Sequence, residues 1–279
     1  MHLISSFIQG KTAVSDRCED GYVCTDHFAA VVDGSTSKAA PAGSSASMPK
    51  TSKTGGRLTM ETVCRTIETL SPSATLHDLV SQATEALRAL WPEGAEREAA
   101  LRPTCSAVVY SVGRREVWMI GDCQCRFGGL THTNNKAIDD ILAQIRSDVL
   151  HYWLTEGCSV ESLRQADRGR AFIYDALRTQ TNFQNIPDAF NPFRYTVLDG
   201  QTVDETTIPV LPVGRAERLI LASDGYPVLF DTLTETEAYL KDCLRADPLC
   251  IDRHPATKGL SAGHVSFDDR TYLLLDITP

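Results

Sequence analysis

The sequence lacks the segments that a membrane-embedded or exported protein would carry. No run of apolar residues approaches the roughly eighteen that a membrane-spanning helix needs. The first residues, MHLISSFIQGK, lack the charged segment and long apolar core of a secretory signal. We therefore expect no membrane association and a cytoplasmic location.

Basic residues and paired cysteines are also scarce. The net charge is -9, with 27 Lys and Arg against 36 Asp and Glu, which argues against a nucleic-acid partner. None of the nine cysteines forms the C-x-x-C spacing of zinc ribbons or redox motifs. We expect reduced cysteines that pack as small apolar residues. At 279 residues the chain favours one domain spanning 1–279, which we expect to be monomeric.

Acidic residues stand at the ends of apolar segments that are typical of buried strands. These segments are FAAVVDG ending at Asp33-Gly34, EVWMIGDC reaching Asp122, ERLILASDG ending at Asp224-Gly225, and SFDDRTYLLLDI, which contains Asp268 and Asp269. An aspartate at such a place is costly to bury unless a cation meets it. These groups, far apart in sequence, predict one carboxylate cluster around metal ions.

A further acidic pair, Glu19-Asp20, precedes Gly21 and a short apolar segment. Taken alone, this tripeptide is typical of a solvated turn. Its position just before the strand that ends at Asp33 makes it a candidate member of the same cluster.

Hydrophobic periodicity predicts the elements that would carry these acids. Strands are expected over 3–9, 28–32, 104–112, 117–120, 217–224 and 267–277, and helices over 58–70, 76–90, 138–154, 160–178 and 235–244. Asp199-Gly200 predicts a hairpin over 195–213. The helical region at about 132–190 is a candidate flap that selects partners.

Residues 35–56 differ in composition from the rest of the chain. They include nine hydroxyl residues and three lysines but no acid. Such a segment has little to bury, so we expect a mobile inserted loop that gates the site or is itself phosphorylated.

The ordered motifs resemble those of the PPM family, the metal-dependent serine/threonine protein phosphatases also called type 2C. The set is Glu19-Asp20, Asp33-Gly34, Gly121-Asp122, Ser223-Asp224-Gly225 and Asp268-Asp269. VWMIGDCQCRF is similar to the family's Gly-Asp-Ser-Arg strand, LILASDGYPVLFD to its Leu-Ala-Ser-Asp-Gly motif, and FDDRTYLLL to its Asp-Asp-x-Thr strand. The resemblance covers nearly the whole chain.

The resemblance implies an α+β fold, a four-layer αββα sandwich of two antiparallel sheets packed face to face with helices outside. It also implies two Mg²⁺ or Mn²⁺ ions between the sheets and a phosphoprotein substrate. By position, the implied metal ligands are Glu19, Asp33, the Gly34 carbonyl, Asp224 and Asp269, with Asp20 holding a metal-bound water and Asp122 linked to a third, weaker ion. Asp33, Asp224 and Asp269 are the implied catalytic residues.

These residue types suit the implied chemistry. Mg²⁺ and Mn²⁺ prefer oxygen ligands. Two such ions can share a water, lower its pKa and direct it at phosphorus. They also offset the charge of the phosphoryl oxygens in the transition state.

Several departures from the family pattern keep a catalytically weak pseudophosphatase or regulatory binding module open as an alternative. Ser35 stands where many members have a histidine, and Arg17 is the nearest candidate for the phosphate-binding arginine. About twenty residues separate Asp33-Gly34 from the pair Gly55-Gly56, which the family has within a few residues.

Two other enzyme classes share part of the pattern. VVDGSTSK resembles the first phosphate-binding loop of sugar kinases and actin-like ATPases, but that fold places the loop at the first strand and has no use for Glu19-Asp20. Haloacid dehalogenases need Asp-x-Asp, and Ser35 follows Asp33 at the second position.

Overall fold

Two five-stranded antiparallel sheets form the centre of the protein, in a computed structural model that describes residues 1–12, 17–35 and 53–278. The first sheet has the order β1-β10-β9-β6-β7 and the second the order β2-β3-β4-β5-β8. The strands are β1 (His2–Gln9), β2 (Asp20–Cys24), β3 (Phe28–Ser35), β4 (Thr104–Ser111), β5 (Glu116–Ile120), β6 (Gln124–Phe127), β7 (Leu130–His132), β8 (Val210–Pro212), β9 (Arg218–Ala222) and β10 (Arg270–Asp276).

The two sheets pack face to face because their strands alternate between two buried faces. In β3, Ala29 and Val31 point to the interior between the sheets, where they join Leu221 of β9 and Leu273 of β10. The opposite face of β3, with Val32, packs against helices instead. Strands buried on both faces explain the nearly continuous apolar runs in the sequence.

Helices cover both outer faces. They are α1 (Gly55–Glu68), α2 (Leu76–Arg88), α3 (Ala137–Thr155), α4 (Val160–Gln165), α5 (Arg168–Thr179) and α6 (Leu233–Ala246). Apolar residues of α1 and α2 pack on the second sheet, and Leu240 and Leu244 of α6 pack on the first. The four-layer αββα sandwich predicted from the sequence is therefore confirmed.

The helical region α3–α5 is tied to the segment after α6 by a buried arginine. Arg146 of α3 forms an ion pair with Asp167 at 2.7 Å and donates to the carbonyls of Leu249 and Ala256 at 2.9 Å each. This region overlaps the predicted flap, and its helices flank one side of the cavity described below.

Most predicted elements are present, and four differ. The helix predicted over 160–178 is two helices, because Asp167 caps α5 by accepting from the amide of Arg170. The hairpin predicted over 195–213 is wrong: Leu198 pairs only as an isolated bridge with Cys105, and Asp199 is buried. Strand β3 continues through Asp33 and Gly34 instead of ending at them, and α1 already begins at Gly55. The predicted mobile loop lies mostly outside the described residues.

All nine cysteines are free thiols, and seven of them are buried. This matches the expectation that they act as small apolar residues. Among the described residues, no helix combines the length and apolar character that crossing a membrane requires.

Candidate functional site

Strand register places several of the predicted acids at one end of the sandwich. Asp20 of β2 lies opposite Asp33 of β3, and Asp33 lies opposite Ser106 of β4. Asp224 follows β9 after one residue, and Asp122 lies in the turn between β5 and β6. Because these strand ends meet at the same edge of the two sheets, side chains distant in sequence converge there.

Asp33, Asp122 and Asp224 form the centre of this site. One carboxylate oxygen of each lies within 4.8 Å of the others. The three line a cavity of about 260 Å³, whose wall also includes Glu19, Gly34, Asp268 and Asp269. A wider groove of about 380 Å³ opens from Asp122 and Asp224. Three of the acids predicted from the sequence therefore converge at one accessible site.

Two glycines allow the backbone to approach closely beside Asp33. The amide of Gly34 donates to the carbonyl of Glu19 at 3.0 Å. A Cβ on Gly34 would lie 2.1 Å from the carbonyl oxygen of Gly56, and one on Gly56 would lie 2.6 Å from Oε1 of Glu19. Gly56 of the displaced Gly55-Gly56 pair therefore packs against Asp33-Gly34 in spite of the intervening residues.

Glu19 and Asp20 are both buried, not part of a solvated turn. Oδ2 of Asp20 accepts a hydrogen bond from Oγ1 of Thr271 at 3.1 Å. Its Oδ1 is buried and has no hydrogen-bond partner among the described residues. Burying such an oxygen costs free energy unless a water molecule or an ion binds to it.

Asp268 and Asp269 have different surroundings. Both oxygens of Asp269 accept backbone amides, Oδ1 from Lys11 at 2.7 Å and Oδ2 from Glu19 at 3.0 Å. Asp268 lines both the cavity and the groove, and its charge is among those that raise the pKa of Asp33 and of Asp224. The structure thus brings Asp269 to the site as a support, whereas Asp268 faces the three-carboxylate cluster. Because the sequence contains two adjacent aspartates, a ligand chosen from the sequence alone can be wrong by one residue.

Burial makes the acids resist ionisation in the absence of a cation. It raises the pKa of Asp33 well above its usual range, and also that of Asp224, although the Asp224 side chain reaches solvent; neighbouring carboxylates raise the pKa of each further. Burial also raises the pKa of Asp20 to about 7. Burial alone would raise the pKa of Asp122, but the ammonium of Lys136 and the hydroxyl of Ser106 outweigh it and lower that pKa.

Four cations in the cavity wall were not identified from the sequence. Lys11 lies 3.2 Å from Asp269 and 3.8 Å from Glu19, Lys258 contacts Asp268, and Lys136 lies 2.5 Å from Asp122. Arg170 of α5 donates from Nη1 to the carbonyl of Thr257 at 2.7 Å. None of the four stands in a motif with an acid, so only their placement in three dimensions identifies them.

Arg17, the predicted phosphate-binding residue, is exposed. It is not among the described residues that line the cavity, whereas Arg170 is. No contact among the described residues therefore supports its predicted role in phosphate binding.

The donor set suits Mg²⁺ or Mn²⁺. The converging groups are carboxylates, with the orphan oxygen of Asp20 and the backbone of Gly34 beside them. Hard divalent cations prefer such oxygen donors. Divalent ions would also offset the charge that raises the pKa of Asp33 and Asp224. The residues present therefore fit the metal that the resemblance implies.

No family model matches the chain, and no curated protein matches it. Several solved structures are similar to it. The catalytic domain of the serine/threonine phosphatase PstP, in complex with two manganese ions, is 15% identical over 99% of this chain and 97% of its own, with a TM-score of 0.47. The PPM phosphatase MsPP from Mycobacterium smegmatis is 15% identical over 99% of both chains, with a TM-score of 0.44. Stp1 from Staphylococcus aureus is 12% identical over 100% of this chain and 96% of its own, with a TM-score of 0.47. These similar structures are serine/threonine phosphatases, and the family named for MsPP is the one that the motifs of this chain resemble.

Proposed function

We propose that this protein is a PPM-type, metal-dependent phosphatase that hydrolyses phosphoserine and phosphothreonine monoesters. The observation that carries the proposal is the convergence of Asp33, Asp122 and Asp224 within 4.8 Å in an open cavity. Structural aspartates are normally paired, as Asp199 is with Gln184 and Asn185. Asp33 and Asp224 have no ion pair among the described residues. This is expected of metal ligands in the absence of the metal ion.

Two Mg²⁺ or Mn²⁺ ions would be held by Asp33, Asp224, Asp268 and the Gly34 carbonyl, and Glu19 and Asp20 would hold metal-bound water. Asp269 takes a supporting role in this proposal, since its oxygens accept backbone amides. When bound, the ions supply an activated water and offset charge on the phosphoryl group.

The residues of the chain supply binding and orientation. Asp33 lies in β3 and Asp224 closely follows β9, so both are positioned by the sheets and not by long loops. Arg170 faces the same cavity with guanidinium donors beyond the one used on Thr257, and such a fork suits phosphate oxygens. The adjoining groove of about 380 Å³ is where the residues that flank a phosphorylated side chain would lie.

Hydrolysis of a phosphothreonine peptide and of p-nitrophenyl phosphate tests the proposal. We expect activity with Mn²⁺ or Mg²⁺, none in excess EDTA, and a loss of at least about a hundredfold in Asp33→Asn and Asp224→Asn. Asp175→Asn, on the surface of α5, is the matched control and should retain activity. Turnover that persists in chelator or in both cavity variants would contradict the mechanism.

A regulatory binding module that retains the ions without turnover is the second candidate. It is favoured by Ser35 in place of the family's histidine and by the exposed position of Arg17. It predicts Mn²⁺ binding without hydrolysis of either substrate. The actin-like ATPase alternative is not supported, because Asp33-Gly34 lies in the third strand, within an antiparallel sheet.

A further inference from the structure

Asp122 differs from its two neighbours in the three-carboxylate cluster. Its Oδ1 accepts a hydrogen bond from Oγ of Ser106 at 2.5 Å, and its Oδ2 lies 2.5 Å from the ammonium of Lys136. Asp33 and Asp224 form no ion pair within the described part of the chain. Both oxygens of Asp122 are thus engaged, and its charge is already compensated.

Lys136 is held in place from several sides. It immediately precedes the first residue of α3, and Asn134, two residues earlier, donates to the carbonyl of Gly121 at 2.9 Å. The Lys136 ammonium lies 5.2 Å from the centre of the Tyr195 ring and 3.8 Å from Asp139. Aromatic faces attract such cations, most strongly where water is excluded. These contacts therefore hold the Lys136 side chain against Asp122.

The other lysines of the cavity pair with acids outside the three-carboxylate cluster. Lys11 is shared by Glu19, Asp268 and Asp269 at 3.2 to 3.8 Å. Lys258 belongs to the irregular segment after α6, and its side chain is 33% exposed against 16% for Lys136. Among the described lysines, only Lys136 combines low exposure, an aromatic contact and an ion pair with a member of the three-carboxylate cluster.

We propose that Lys136 is a built-in cation that takes the place of the third metal ion at Asp122, so that this chain binds two divalent ions and none at Asp122. The inference rests on the proposed function, since it presumes the two-ion site. It departs from the role that the resemblance implies for Asp122.

The physical reason is competition for the same carboxylate. An ammonium supplies one positive charge and up to three hydrogen bonds without open coordination positions. A divalent ion at Asp122 would have to displace it from a poorly solvated pair, and separating such a pair leaves an uncompensated charge. The lysine therefore keeps the charge of Asp122 neutralised whatever the metal concentration.

Counting bound Mn²⁺ ions per chain tests the inference without reference to activity. The free-ion signal in electron paramagnetic resonance titrations gives this number directly. We expect two ions in wild type, three in Lys136→Met, and two in Lys136→Arg, which restores the cation. The double variant Lys136→Met with Asp122→Asn should return to two.

Lys258→Met is the matched control, because it removes the same charge from the same cavity. It should bind two ions, more tightly than wild type. Thermal melts confirm that each variant is folded. A count of two in Lys136→Met, or of three in wild type, would overturn the role of Lys136 while leaving the two-ion site intact. A wild type that binds no Mn²⁺ would overturn the metal site and this inference with it.

Discussion

At the scale of single residues, the site is defined by acids that the fold brings close to one another. Asp199 shows what an ordinary buried aspartate looks like here: Gln184 and Asn185 donate to it at 2.7 and 2.8 Å, and the amide of Gln201 at 2.8 Å. Asp33 instead has the carboxyl group of Asp224 as a hydrogen-bond partner, and burial together with neighbouring carboxylates raises the pKa of both. Their unfavourable environment is what a cation would relieve.

Asp224→Asn should therefore behave differently from an ordinary core substitution. It removes one repelling charge at nearly constant shape, so the metal-free variant should melt at or above the wild-type temperature near pH 7. Wild type should gain about 2.7 kcal/mol of unfolding free energy at Mn²⁺ one hundred times its dissociation constant, and the variant much less. Thermal melts in EDTA and in Mn²⁺ measure both effects.

Asp199→Asn is the control for this comparison. The side-chain NH₂ group of the variant would face hydrogen-bond donors. The substitution should therefore lower the free energy of unfolding by about 1–3 kcal/mol with or without metal. A variant at Asp224 that is destabilised in EDTA and keeps the full metal-induced shift would show that Asp224 is not a ligand.

The raised pKa of Asp20 predicts how the metal-free protein responds to pH. The folded value of about 7 exceeds the unfolded value of 3.8, so the folded state binds its proton more tightly. Asp20 therefore contributes to the free energy of unfolding below about pH 4, and this contribution is lost as the pH rises through 7. The expected change is about 4 kcal/mol. Urea denaturation in EDTA between pH 4 and 8 should show this fall, and Asp20→Asn should reduce it. An Asp20→Asn variant with the same pH profile as wild type would contradict the assignment.

Two arginines allow the substrate-contacting residue to be identified. Arg170 faces the cavity, whereas Arg17 is exposed. Loss of a charged hydrogen bond to phosphate costs about 1.5–3 kcal/mol, so Arg170→Met should raise KM for p-nitrophenyl phosphate roughly tenfold or more. Arg17→Met should change KM less than about twofold. The reverse order would support Arg17 as the phosphate-binding residue.

At the scale of elements, the close approach of α1 to β3 builds one wall of the site. Gly56 lies in the first turn of α1, where a Cβ would meet both Glu19 and the Gly34 carbonyl. Gly56→Ala should therefore push α1 away from β3 and weaken Mn²⁺ binding at least about tenfold. Titration calorimetry measures this, with Gly113→Ala as the control, because a Cβ there would lie 3.5 Å from its nearest neighbour. Equal Mn²⁺ affinity in the Gly56 variant and wild type would show that the contact is not needed.

The elements that sequence patterns predicted are those with a long and regular apolar periodicity. Strand β9, with Leu219, Ile220 and Leu221 buried, and helix α3 follow the pattern directly. The three-residue β7 and the four-residue β6 are too short for periodicity to distinguish them from loops. The Asp199-Gly200 pair failed as a hairpin signal because tertiary partners, including Gln184, bury the aspartate.

The site was predictable to the extent that its acids adjoin strands. Asp33, Asp122 and Asp224 were identified from that feature, and strand register then brings them together. Lys11, Lys136, Lys258 and Arg170 were not identified, since a lone basic residue carries no local signal of a distant partner. The choice between Asp268 and Asp269 depended on backbone amides that only the folded chain positions.

At the scale of the whole molecule, the sandwich works as a rigid frame for a charged opening. The apolar interior between the sheets holds β3 and β9 in place, and the acids occupy one end of that interior. Around them lie the helices α3 and α5 and the segment after α6, which Arg146 fastens together. The frame therefore sets the position of the acids, while these surrounding elements form the groove beside them.

Anomalous diffraction at the manganese edge, from crystals grown with Mn²⁺, tests the central claim most directly. The account predicts two anomalous peaks in the cavity, within coordination distance of Asp33 and Asp224, and Asp122 still paired with Lys136. Peaks confined to surface acids, or a cavity without any peak at millimolar Mn²⁺, would contradict it.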